Sequence, residues 1–263
     1  MKENIIPTGI YRKFTVSVLL LMIIHLYSYG QGITVYQYRH VPEDKVGEFI
    51  NRETNYWSKV AEKAMEKGNL TWWALLEKVG GYDLPNSSNF LFINTYNDID
   101  NSGSVWDPAA AFPGVSMDKM ETGSLSTVTS NFFMRVEHWE QAASAQPDDF
   151  QYVVLVYHNA SDAGQLIQLE KTHWAPFIKS AMDTKQTTMS GWGNASVLSP
   201  FGDDIKFNTV SYDVYPSLKE ALSPTWKEGT VYPETGLNEI AGLELNRRGS
   251  VVYRIVKVVT PNN

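Results

Sequence analysis

Two five-residue stretches, ETNYW from Glu53 to Trp57 and EKTHW from Glu170 to Trp174, each set a carboxylate four residues ahead of an indole. Around the first, Val46, Phe49, Ile50, Val60, Ala61 and Ala64 recur at the three-and-four spacing of one helix face. Around the second, Leu166, Ile167, Phe177, Ile178 and Ala181 do the same. Glu53 and Glu170 fall on these apolar faces, so each helix is predicted to turn a carboxylate inward. An unpaired carboxylate in an apolar interior costs several kcal/mol or takes up a proton at a raised pKa. Two chemistries follow. Beside Trp57 or Trp174 such a group can serve as a general base for a ligand held between helix and sheet. Tied to an arginine or a backbone N–H, it would instead fasten helix to sheet. Recurrence favours fastening, because a catalytic group is needed once and a fold constraint in every copy. Arg135 and Arg254 are the predicted structural partners, and His40 and His158, at the ends of matched strands, are the alternatives.

The elements that must position these residues recur as well. Laid upon itself, the chain brings Gly47 onto Gly164, Ile50 onto Ile167, Glu53 onto Glu170 and Trp57 onto Trp174. With small, loop-sized shifts Asp98 then meets Asp213, Trp106 meets Trp226 and Arg135 meets Arg254. Such a collinear series predicts an internal duplication. Each copy shows one order of elements. In the first, a β-branched and aromatic strand at 33–41 precedes a helix near 43–67, strands at 70–79 and 90–96, an irregular stretch, and a closing strand at 131–139. In the second, the strand at 150–158 precedes a helix near 161–183, two strands, an irregular stretch containing SLKEAL, and a closing strand at 250–259. The small, polar segment 142–149 reads as a linker, giving domains at 31–141 and 150–263.

Composition and chain ends narrow the function classes. Lys2, Arg12 and Lys13 precede an apolar run at 14–27 that is short for a bilayer span, followed by small residues near Gly30. Residues 1–30 are therefore expected to be a signal peptide, and the protein periplasmic or secreted. The rival is an uncleaved anchor. A net charge of −7 without a long basic run excludes nucleic acid, and membrane surfaces after cleavage, as main partners. No cysteine is present, so neither disulfides nor thiol chemistry is available. A chain that is 43% hydrophobic must be held by its core.

The order β-α-β-β-α-β is that of the ferredoxin-like unit, and with its duplication the chain resembles the dimeric α+β barrel superfamily in a tandem, single-chain form. The resemblance rests on element order over nearly the whole mature sequence. It implies an α+β fold of two ferredoxin-like βαββαβ repeats packed sheet to sheet as an intramolecular dimeric α+β barrel, running as a monomer. It further implies that ligands sit between helix and sheet. Members include cofactor-free monooxygenases, haem-using enzymes and small-ring isomerases, and a shared fold does not carry function across.

The remaining residues specify less. His40, His138, His158 and His173 form no HxH, HxxxH or HExxH pattern, so no metal site is predicted. No cofactor is predicted either; haem is the alternative, with His138 or His173 as axial ligand. Nucleophile elbow, P-loop and dinucleotide fingerprint are absent. Trp72 and Trp73 are neighbours on a strand, so one should pack under the helix and the other face the opposite side. The two copies differ most where the second carries GWG at Gly191, Trp192 and Gly193, and strand glycines can open space. A single pocket is thus expected near Glu170, Trp174, Gly191 and Trp192, with Glu53, Trp57 and His40 its counterparts in the first copy. The expected function is an exported protein holding an apolar or aromatic molecule, with oxygenase- or isomerase-type chemistry based on Glu170 or His158. The alternative is a non-catalytic module that binds a partner or glycan at its surface.

Overall fold

The computed structural model describes residues 32–79, 87–202, 204–246 and 249–261; the expected signal peptide lies outside the described residues. The strand-forming runs become β1 (Ile33–His40), β2 (Leu70–Lys78), β3 (Phe90–Tyr96), β4 (Thr127–Gln141), β5 (Tyr152–His158), β6 (Gly191–Ser199), β7 (Thr209–Tyr215) and β8 (Gly249–Val259). Between β1 and β2 lies helix α1 (residues 46–66), and between β5 and β6 lies α3 (residues 163–183). Shorter helices are α2 (Pro108–Ala111), α4 (Leu218–Leu222) and α5 (Glu234–Leu243). Among the described residues no helix is long and apolar enough to cross a membrane.

The strands close into one barrel in the order β1-β3-β2-β8-β5-β7-β6-β4, and every pairing is antiparallel. This overturns the expectation of two ferredoxin-like repeats packed sheet to sheet. Two features explain the difference. The outer edges of the long closing strands are not left open: β4 pairs with β6 and β8 with β2, so the halves join edge to edge. Closure satisfies the backbone groups that an open sheet would expose. Nor does each half carry a second long helix. The segment leading to β4 opens α2 at Pro108, is broken at Pro113 and Gly114, the last at φ +84°, and forms only the single α-turn α2 and three short 3-10 turns.

Alternation along the strands divides the side chains between two environments. Inward-facing residues such as Tyr36, Leu76, Leu91, Met134, Leu155 and Tyr253 make one core inside the barrel. Outward-facing Trp73 and Phe90 pack with Phe49 of α1 in one layer, and outward-facing Trp192 and Tyr215 pack with Ile178 of α3 in another. Trp73 accordingly lies under α1 while Trp72 packs on the barrel core, as strand alternation predicts.

Candidate functional site

Both E-x-x-x-W stretches are π-turns. Helix α1 is α-helical over Val46–Arg52, widens over Glu53–Trp57 and resumes over Ser58–Glu66. Helix α3 repeats this over Ala163–Leu169, Glu170–Trp174 and Ala175–Asp183. A π-turn bonds i to i+5 and so inserts one residue into the helix register. The glutamate that opens each turn is driven onto the sheet: Glu53 is 3% and Glu170 5% exposed. The tryptophan that closes it stays half-buried. Trp57 Nε1 donates to the Met120 carbonyl at 2.7 Å, and its ring meets Trp106 at 6.3 Å. Trp174 meets Trp226 at the same 6.3 Å. Each indole thus anchors the irregular segment of its own half.

Strand register shows which residues share these layers. Tyr38 and Tyr157 face the barrel interior, where their hydroxyls meet at 3.0 Å. The next residues, Arg39 and His158, therefore turn outward toward α1 and α3. The sequence had paired His40 with His158. Because one step along a strand exchanges faces, the residue that occupies the place of His158 is Arg39. His40 itself turns to the Ser87 carbonyl, 2.7 Å from Nδ1.

Under α1, Glu53 Oε1 accepts from Thr122 Oγ1 at 2.7 Å. Arg39 adds electrostatic attraction, while its guanidinium bonds Gln37 and Ser126 and lies 4.9 Å over the Phe92 ring. Burial outweighs both contacts and raises the Glu53 carboxyl to about 7. Leu75, Phe90 and Phe92, all buried, fill the rest of this layer.

Under α3 the corresponding ladder positions are polar. Arg39, Tyr38 and Gln37 pair with Phe90, Leu91 and Phe92 of β3, and His158, Tyr157 and Val156 pair with Thr209, Val210 and Ser211 of β7. Leu75 pairs with Phe92, and Asn194 with Ser211. Hence Leu75, Phe90 and Phe92 are answered by Asn194, Thr209 and Ser211, which are buried to the same degree. Glu170 Oε2 accepts from Asn194 Nδ2 at 2.7 Å, and its Oε1 lies 4.0 Å from His158 Nε2. His158, 1% exposed, holds Ser211 Oγ at 2.8 Å from Nε2 and Glu244 Oε1 at 2.6 Å from Nδ1. Asn194 Oδ1 and Thr209 Oγ1 meet no hydrogen-bond partner among the described residues, as does Asn94 Oδ1 near the first layer. An imidazole held between two carboxylates and a hydroxyl can accept, store and pass a proton.

Other predicted site residues lie elsewhere. Arg254 pairs with Glu77 across the β2–β8 seam, and Arg135 lies 4.0 Å from Glu137, so the contacts seen for both arginines are at the barrel surface. Gly191 and Gly193 do not open space under α3. Side chains there would enter the Trp139 ring at 2.5 Å and the Tyr212 ring at 2.4 Å, so the glycines admit those rings. Trp192 is buried in the layer beneath α3. Two adjoining surface clefts lie beyond the end of α3, lined by Lys185, Thr187 and Thr188, and neither is lined by Glu170 or His158. For a haem the described residues are a poor fit. Nε2 of His138 lies 3.0 Å from Glu140, His173 is covered by Gly236, and both nitrogens of His158 are engaged. Among the described residues no group of three or more His, Cys, Asp or Glu is disposed to hold a metal ion. Sequence reasoning missed Arg39, Thr122, Asn194, Ser211 and Glu244. Only the strand register could have found the first, and the others carry no local motif.

No family model matches the chain, and no curated protein does. Solved structures do. An anthrone oxidase-like protein superposes with a TM-score of 0.55 at 14% identity, covering 89% of this chain and 94% of its own. A putative monooxygenase from Lactobacillus acidophilus NCFM gives 0.56 at 11% identity, covering 88% and 96%. Another, from Fusobacterium nucleatum, gives 0.50 at 11%, covering 87% and 94%. These are members of the dimeric α+β barrel fold, and at such identity the likeness speaks to fold alone.

Proposed function

We propose that this is an exported, monomeric protein, descended from a fused pair of barrel halves, that holds a small apolar or aromatic molecule between α3 and β5–β7–β6. Glu170 and His158 act there as a general base. The observation that carries this reading is the exchange of Leu75, Phe90 and Phe92 for Asn194, Thr209 and Ser211. A fastening point is served by apolar packing, as the first half does it. Burying polar side chains at the same positions costs stability unless something uses them. The chemistry fits a weak carbon acid. Its proton passes to the base, and the carbanion is either reprotonated at another carbon or gives its electrons to dioxygen. The second course fits the likeness to an anthrone oxidase-like protein and to putative monooxygenases. No cofactor is invoked. The basic and apolar segment at 2–27 supports export.

Enclosure favours a second reading, in which the same network merely fastens α3 and α5 and the protein binds a partner or glycan at its surface. A thermal-shift screen with haem, flavin mononucleotide and 1-naphthol separates the two. At a hundred times its Kd a ligand adds about 2.7 kcal/mol of stability. Stabilisation by 1-naphthol that Glu170→Gln removes and Glu53→Gln retains is expected. Equal retention in both variants, or no stabilisation of the wild type, sinks the base reading.

A further inference from the structure

The partners of His158 reach it from two directions. Ser211 and Glu170 belong to the sheet and to α3. Glu244 comes from outside both, at the end of α5. That end is firmly seated. The backbone of Glu244 bridges to Ala160, Ser161 N donates to the Leu243 carbonyl at 2.8 Å, and Leu245 N donates to Asn159 at 2.9 Å. Ile240 is buried with Leu166 and Ala160. Further along, α5 lies so close to the π-turn of α3 that a Cβ on Gly236 would stand 2.5 Å from the His173 side chain. In the first half the irregular segment supplies no helix longer than the single turn α2, and the Glu53 layer receives a hydroxyl, Thr122, from it.

An ionised carboxylate has acceptors only. With Glu244 as such a carboxylate, the 2.6 Å contact between its Oε1 and Nδ1 puts the hydrogen on Nδ1. Nε2 is left as the nitrogen with the lone pair, 2.8 Å from the Ser211 hydroxyl that donates to it and 4.0 Å from Glu170. We infer that Glu244 is a positioning residue: it holds the His158 proton on Nδ1, keeps Nε2 as the basic nitrogen beside Glu170, and is itself delivered by α5. This deepens the reading of the α3 layer as a base site and rests on it. A third group that orients an imidazole sets which nitrogen does the chemistry. Ser211 then lies between Nε2 and the layer as a proton relay, and α5 is the element that completes the site.

Long-range proton–nitrogen NMR on protein carrying 15N-histidine tests the assignment. Near neutral pH wild-type His158 is expected as the Nδ1–H tautomer. In Glu244→Gln the carboxamide can donate to Nδ1, so the proton should move to Nε2, where Ser211 and Glu170 accept it. Glu244→Asp should restore the wild-type pattern, and Glu239→Gln, exposed on the same helix, should not disturb it. A wild-type spectrum with the hydrogen on Nε2 overturns the inference, and so does a Glu244→Gln spectrum unchanged from wild type. Should Glu244→Gln not fold, the wild-type spectrum alone still decides. If the tautomers behave as expected while 1-naphthol, haem and flavin all fail to stabilise the protein, the ligand-site reading falls and the assignment of Glu244 stands.

Discussion

Where the layer under α1 carries Leu75, Phe90, Phe92 and Arg39, the layer under α3 carries Asn194, Thr209, Ser211 and His158. The helices above them are alike, each with a π-turn opened by a buried glutamate and closed by a tryptophan that packs on a second tryptophan. What differs is the floor. The first half shows that a hydrophobic layer tolerates the glutamate with one hydroxyl and a nearby guanidinium. The second half therefore did not need four polar side chains to keep its glutamate buried. The difference teaches that the π-turn and its carboxylate are common to both helices, and that the polar floor is the feature on which the proposed function rests.

The strongest way to break this comparison is to give the first floor the chemistry of the second. Leu75→Asn should lower unfolding stability by about 4 kcal/mol, from lost apolar burial and an amide without partners. Urea titration measures it, and a loss below about 1 kcal/mol would mean the two layers are not packed alike.

Next comes pH. Glu53 has a folded pKa of about 7 against an ordinary 4.5, raised by burial. The protonated form is the one the fold favours, so the stability it contributes is present in full below pH 4.5 and is lost as pH rises through about 7. The loss should approach about 3 kcal/mol. Glu53→Gln should match wild type near pH 4, exceed it at pH 8 and flatten the profile. Denaturant midpoints across this range check it, and a wild type that gains stability from pH 5 to 8 through Glu53 contradicts the assignment.

A smaller effect sharpens the role of α5. Gly236→Ala should cost about 1–3 kcal/mol, because the new methyl meets the His173 side chain at 2.5 Å. Hydrogen exchange should then speed up in 234–243 while α1 keeps its protection. Uniform acceleration in both helices would mean that α5 is not a separate element of the second site.

Smallest is the seam. Arg254→Ala should cost about 1 kcal/mol, since Arg254 is half-exposed although its partner Glu77 is largely buried. A thermal melt showing a much larger loss would return Arg254 to the structural role that the sequence suggested.

Several of these features were legible in the residues alone. The apolar spacing around Glu53 and Glu170 required inward carboxylates, and both are buried. Trp57 and Trp174 each pack on a second indole, Trp106 and Trp226 respectively. The pairing of His40 with His158 failed for a specific reason. The glutamates differ in position by the same interval as their tryptophans, but the strand ladders match at an interval two residues longer, as Tyr38 and Tyr157 show. The pairing of His40 with His158 falls between the two intervals, one residue off the ladder, and a slip of one residue exchanges strand faces. The glycines of β6 misled for a related reason. A missing side chain reads as space, yet only the neighbouring rings of Trp139 and Tyr212 decide whether space remains.

By itself the sequence determined the local periods: alternating strands, two amphipathic helices, and one carboxylate on each apolar face. These follow from interactions within a few residues, which spacing records. Tertiary structure alone decided that eight strands close into one barrel rather than two stacked sheets, and that His158, Glu170, Asn194, Ser211 and Glu244 meet under one helix. Those outcomes depend on which edges pair and in what register, and partners drawn from β5, α3, β6, β7 and the end of α5 leave no periodic trace along the chain.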